Sequence, residues 1–182
     1  MTISEGAKRR VLDESAFGEH NMLVYRDLDA LRELYCAYCH ARLPSEIVLI
    51  VTHYETPGRV RQNLQDCGVD VEKYERDGSL TVVDSVRGYQ FGDTSGVLKL
   101  ARSLAQRAEK EGRQGVCAFG DLGSFLMFDR PAELVQYEVS IPHRLDLKLK
   151  TFCSYHSADY GRLEPGQRQV IKESHNRRII AP

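Results

Sequence analysis

The sequence predicts an α/β domain built on a mostly parallel sheet with helices on both faces. Three observations carry that reading. Short aliphatic runs such as Ile47-Val48-Leu49-Ile50-Val51 are bounded by Pro44 and Pro57, as in strands buried on both sides. Successive runs are separated by roughly ten residues or more, which is crossover length and too long for hairpins. Such crossovers are right-handed, and they distribute helices over both faces of one sheet.

Each element can be justified in chain order. Residues 1–19 are polar, with little periodicity, and read as a flexible or capping N-terminal segment before a domain over 20–182. Leu31, Leu34, Tyr35 and Tyr38 recur at helical spacing between Leu28 and Leu43, and Pro44 ends the pattern. The first strand is Glu46 to Tyr54. Thr56 then offers an N-cap with Pro57 in the first turn, starting a helix that carries Val60, Leu64 and Cys67 and stops at Gly68. Ser79 to Ser85 forms a second strand. The clearest helix is Thr94 to Glu111, whose apolar face is Val97, Leu100, Ala101, Leu104, Ala105 and Ala108. Gly115 to Asp121 is a third strand, and Asp129 with Pro131 caps a helix towards Ile141. Leu145 to Tyr155 alternates and then turns apolar, which predicts a fourth strand. A short helix from Gln167 to His175 and a strand from Arg178 to Ala181 close the chain.

Composition narrows the function. The chain has 182 residues, 42% hydrophobic and 28% charged, enough for one substantial core. A net charge of -1 and no local basic patch argue against direct nucleic-acid binding. No apolar run reaches a membrane span, and Met1 to Arg10 precede no export-type apolar region, so the expected location is the cytoplasm. The five scattered cysteines, Cys36, Cys39, Cys67, Cys117 and Cys153, are then expected to be reduced thiols.

Ligands of such sheets bind beyond the carboxyl ends of the strands. A nucleotide hydrolase would place GxxxxGK[ST] after the first strand, because backbone N–H groups and a lysine must cradle the phosphates. Here that stretch is His53-Tyr54-Glu55-Thr56-Pro57-Gly58-Arg59, with one glycine and no lysine, so ATP hydrolysis is not expected. No serine-triad order, paired-acid motif or HExxH string is present either, and the chain is not read as an enzyme.

The opening His20-Asn21-Met22-Leu23-Val24-Tyr25, the Leu43-Pro44-Ser45-Glu46 entry into an aliphatic strand, Leu64 to Gly78, Tyr89 following Asp84, and Cys153-Ser154-Tyr155 with His175 near the end together resemble the MEDS domain. That is the sensory domain of methanogens, methylotrophs and the dichloromethane-responsive repressor. The resemblance spans about residues 20 to 180. It implies a RecA/KaiC-like fold with a degenerate nucleotide site and a role in sensing a small organic, hydrocarbon-derived ligand. His156 and Asn176 depart from the family, which usually has aspartate and often proline there.

The expected function is a stand-alone sensory or ligand-binding domain that signals to a separate signalling or transcription partner, with self-association left open. The candidate ligand-binding residues are His53, Tyr54, Glu55, Asp84, Tyr89, Phe91, Tyr155 and His175; no catalytic residue, metal ligand or cofactor is assigned. Tyr155, if buried, needs a partner such as Glu138 or His175, and His175 reads more readily as a hydrogen-bonded structural histidine. Two alternatives stand beside this reading. Cys36-Ala37-Tyr38-Cys39-His40 matches the haem-attachment spacing and allows a redox- or haem-linked sensor. The chain could equally be an interaction subunit with a vestigial site.

Overall fold

The computed structural model describes residues 4–90 and 95–181. Its six strands are all parallel and lie in the order β3-β2-β4-β5-β1-β6. They are β1 (His20–Tyr25), β2 (Glu46–Thr52), β3 (Leu80–Asp84), β4 (Gly115–Asp121), β5 (Leu149–His156) and β6 (Arg177–Ala181). Every position of β2 is buried, because β3 and β4 flank it and helices cover both of its faces.

Strand alternation splits the core in two. Met22, Ile47, Leu49, Val51, Val116, Cys153 and Tyr155 face one way, under α5 (Ser95–Lys110), α6 (Gly123–Met127), α7 (Pro131–Ser140) and α9 (Pro165–Glu173). Leu23, Tyr25, Val48, Ile50, Cys117, Phe119 and Phe152 face the other way, under α2 (Leu28–Arg42), α3 (Pro57–Asp66) and α4 (Val71–Arg76). The first helix, α1 (Glu5–Arg9), and the π-helical turn Arg10–Glu14 join this second layer through Ala7 and Val11, both buried. The chain is completed by α8 (Ser157–Arg162) at the end of β5.

Three details depart from the sequence reading. β1 is a fully buried strand between β5 and β6, although it starts with His20 and Asn21 and has only a short apolar run. β5 starts at Leu149 rather than Leu145, because Leu145 donates its N–H to Gly18 O at 2.9 Å and Arg144 bridges Glu19 antiparallel, turning that segment across the chain. Arg130, not Asp129, occupies the N-cap of α7, and Asp129 takes a left-handed φ of 54°.

The cysteines also differ from expectation. Cys36 of α2 and Cys67 after α3 form a disulfide, so the expectation of reduced thiols throughout is corrected for these two. Their helices pack side by side with Cα atoms 6.3 Å apart, inside the range a disulfide spans. Cys39, Cys117 and Cys153 are free and buried. Burial pushes the Cys39 thiol up to about 12, so the two sulfurs of the C-x-x-C-H string have different fates. His40 is turned aside, its Nε2 lying 2.7 Å from Cys67 O.

Candidate functional site

The carboxyl edge of the sheet begins at Thr52, whose hydroxyl donates to Glu55 O at 2.9 Å and closes a tight turn. Thr56 then caps α3, accepting from Arg59 N–H at 3.2 Å, with Pro57 in the first turn. His53 rests against Gly123 at the start of α6. A Cβ on Gly123 would sit 2.3 Å from His53 Cδ2, so only glycine allows the ring to lie there. Tyr54 is 41% exposed and its hydroxyl donates to Asp159 of α8. With Met127 and Arg162, these residues line a cleft of about 420 Å³.

A larger groove of about 770 Å³ lies beside it, between the end of β3 and α5. Val83, Val86, Val97, Leu100 and Pro57 make its walls largely apolar, while Asp84 and Arg87 supply opposite charges to the lining. Asp84 accepts from the N–H groups of Val86 at 2.9 Å and Arg87 at 3.2 Å. That holds the π-helical turn Val86–Gln90 against the groove.

The candidate residues therefore divide. His53, Tyr54 and Asp84 stand at the edge. Glu55 is clamped: its Oε1 accepts from Arg32 at 2.7 and 3.0 Å and from Asn63 at 3.0 Å, tying α2 to α3. Tyr89 is a core residue, 2% exposed, packed on Phe125 and Tyr137; its hydroxyl fills the space a Cβ on Gly120 would take. Phe91 lies outside the described residues. Tyr155 and His175 belong to a buried polar cluster under α7 and α9. The Tyr155 hydroxyl donates to Glu138 Oε1, and His175 Nδ1 is 2.6 Å from Ile171 O.

That cluster contains His20, Glu138, Cys153 and His175, all buried. The rings of His20 and His175 are 4.0 Å apart. His20 Nε2 lies 3.1 Å from Glu138 Oε2 and 3.2 Å from Cys153 Sγ, and His175 Nε2 lies 3.5 Å from the same carboxylate oxygen. Burial opposes ionisation of Glu138, yet the neighbouring His175, His20 and Tyr155 outweigh it and hold the carboxyl below its ordinary range. Burial, with the neighbouring His20, pushes the His175 imidazole below its ordinary value, against the pull of Glu138.

A profile of the MEDS family, the methanogen/methylotroph, DcmR sensory domain, matches residues 19–173. The chain belongs to the MEDS family. Among solved structures, the MEDS domain is similar to a KaiC-like protein of the hyperthermophilic archaeon Pyrococcus horikoshii OT3, at 13% identity and a TM-score of 0.55 over 94% of this chain and 75% of that one. It is also similar to a second Pyrococcus horikoshii OT3 protein, at 10% identity and a TM-score of 0.59 over 94% and 87%. At such identities the likeness shows the fold alone, which is RecA/KaiC-like. No curated protein matches the chain.

The MEDS domain also contains functional candidates that sequence reasoning missed. His20 sits in the unrecognised strand β1, and the sequence marks Glu138 only as a partner for Tyr155, a hydrogen bond that is present, and not as part of a cluster with His20 and Cys153. The available signal was the polar content of buried segments: His20, Glu138 and Cys153 all fall within otherwise apolar elements, and a buried ionisable group needs a partner.

Proposed function

We propose that this MEDS domain binds a small, largely apolar organic molecule with one polar end in the groove between β3 and α5. It passes that signal to a separate partner protein without hydrolysing ATP. The observation that carries the reading is the groove itself: about 770 Å³, with mostly aliphatic walls and Asp84 and Arg87 as its charged lining residues. Its volume suits one small molecule, and such a lining gives apolar area with a few polar groups for orientation. The stretch His53 to Arg59 supports a ligand other than a nucleotide, since it has no lysine and a single glycine to hold phosphates.

The test is a thermal-shift screen with short alcohols, amines and halogenated alkanes, followed by calorimetry on any hit. Stabilisation by one class in the native protein, abolished in Val86→Trp, supports the reading. No response to any class, or an unchanged response in Val86→Trp, overturns the placement. Turnover of magnesium-ATP above a buffer blank, lost in Asp84→Ala, would refute the non-hydrolytic part.

A further inference from the structure

We propose that His20, Glu138, Cys153 and His175 form a closed four-coordinate site for a divalent metal ion of the zinc type. The site is separate from the groove, so it stands or falls independently of the ligand proposed above.

Four elements converge on it: β1 supplies His20, β5 Cys153, α7 Glu138, and the residue two beyond α9 is His175. One ligand atom from each lies within 4.8 Å of all the others. A tetrahedral zinc site with bonds of about 2.0 to 2.3 Å has donors roughly 3.3 to 3.8 Å apart. The distances of 3.1, 3.2 and 3.5 Å among His20, Glu138, Cys153 and His175 are already close to that spacing.

The hydrogen bonds around the cluster point the lone pairs inward. His20 Nδ1 is 3.1 Å from Ser174 O and His175 Nδ1 is 2.6 Å from Ile171 O. A carbonyl oxygen only accepts, so each Nδ1 carries a proton, and each Nε2, once any proton of its own is given up to the incoming metal, turns a lone pair to the centre. Tyr155 engages one oxygen of Glu138 and leaves Oε2 for the site. His175 Nε2 is fully buried without a hydrogen-bond partner among the described residues, and Glu138 Oε2 has only the His20 Nε2 nitrogen at 3.1 Å beside it. Lone pairs this close repel one another unless a cation lies between them. A single added proton could bridge only one pair.

Donor chemistry selects the metal. Two imidazoles, a thiolate and a carboxylate suit a borderline-soft ion such as Zn²⁺, whereas Mg²⁺ and Ca²⁺ prefer oxygen ligands. All four ligands are protein groups and all are buried, which is the pattern of a structural site with no open position. Binding expels the Cys153 thiol proton to solvent as the sulfur–metal bond forms. The ion would staple α7 and the end of α9 to the middle of the sheet.

The experiment starts with full-length protein stripped by a chelator and titrated with Co²⁺ and Zn²⁺. The expected result is one equivalent bound, a thiolate-to-cobalt charge-transfer band, the strong visible bands of four-coordinate cobalt, and a higher melting temperature with Zn²⁺ but not Mg²⁺. Cys153→Ser should lose the charge-transfer band, and His175→Gln should weaken binding roughly tenfold or more. Cys117→Ser, a buried cysteine on the opposite face of the sheet, should keep both. Should Cys153→Ser fail to fold, a charge-transfer band that survives in the Cys39→Ser/Cys117→Ser double variant still assigns the thiolate. No bound metal, a six-coordinate cobalt spectrum, a missing thiolate band, or equal losses in Cys117→Ser and Cys153→Ser would overturn the site.

Discussion

Of the three carboxylates buried among the described residues, Glu46, Asp121 and Glu138, the last two lie on opposite faces of the sheet and are held in opposite ways. Asp121, at the end of β4, is 2% exposed and points into the layer of α2 and α3. It accepts from the Tyr25 hydroxyl at 2.6 Å and from Gly123 N–H at 3.0 Å, both neutral donors. Burial wins there: its pKa is raised, although the Tyr25 and Gly123 hydrogen bonds and the more distant His53 and His156 pull the other way. Glu138 is equally buried, but two imidazoles and the Tyr155 hydroxyl surround it and the balance reverses. Burial alone therefore does not set the state of a carboxylate; the charge and donors packed against it do.

The largest expected break comes from Glu138→Ala, with chelator present so that only protein groups contribute. Removing the centre of a buried polar cluster takes the carboxylate from the Nε2 side of two imidazoles and from the Tyr155 hydroxyl, and should cost about 4 kcal/mol in urea unfolding. A loss under about 1 kcal/mol would mean that the cluster is not cohesive. Next, the Asp121 face carries a covalent tie that the Glu138 face lacks. Opening the Cys36–Cys67 disulfide, which closes a separation of 31 residues, should cost about 3 kcal/mol through the entropy of the unfolded chain. Equal stability with and without reductant would remove that asymmetry.

A sharper comparison removes one hydroxyl from each site. Tyr155→Phe should cost about 2 kcal/mol because its acceptor is a buried charge, and Tyr25→Phe about 1 kcal/mol. The reverse order would invert the assignment of ionised and neutral carboxylate. The smallest effect is a drift with pH. Because the folded pKa of Asp121 lies above its ordinary value of 3.8, the unfolded chain releases this proton first as pH rises. The contribution of Asp121 is thus fullest below 3.8 and is lost as pH climbs through the folded pKa. Asp121→Asn should flatten that part of the unfolding profile; an unchanged slope would show that Asp121 is not its source.

Much of the fold was legible residue by residue. The run Ile47 to Val51 and the helical face Val97 to Ala108 became β2 and α5, since each buries side chains at the period its backbone imposes. Thr56 and Pro57 marked the start of α3 as read. The candidate site was legible only in part. His53, Tyr54 and Asp84 reached the carboxyl edge because parallel connectivity sends all strand ends there, but Tyr89 packed into the core from the turn after β3, and strand alternation turned Tyr155 of β5 under the helices.

The sequence by itself determined the alternation of strand and helix, the loss of the phosphate loop and the family to which the chain belongs. Those features are local strings of residues, and neighbours along the chain decide them. Only the tertiary structure decided that β1 lies between β5 and β6, that Cys36 meets Cys67, and that His20 comes within 3.2 Å of Cys153 across 133 positions. A polar residue in an apolar run reveals that it needs a partner, but not which one. The partner is chosen by the order of strands in the sheet, a property of the whole chain folding at once that no window of sequence contains.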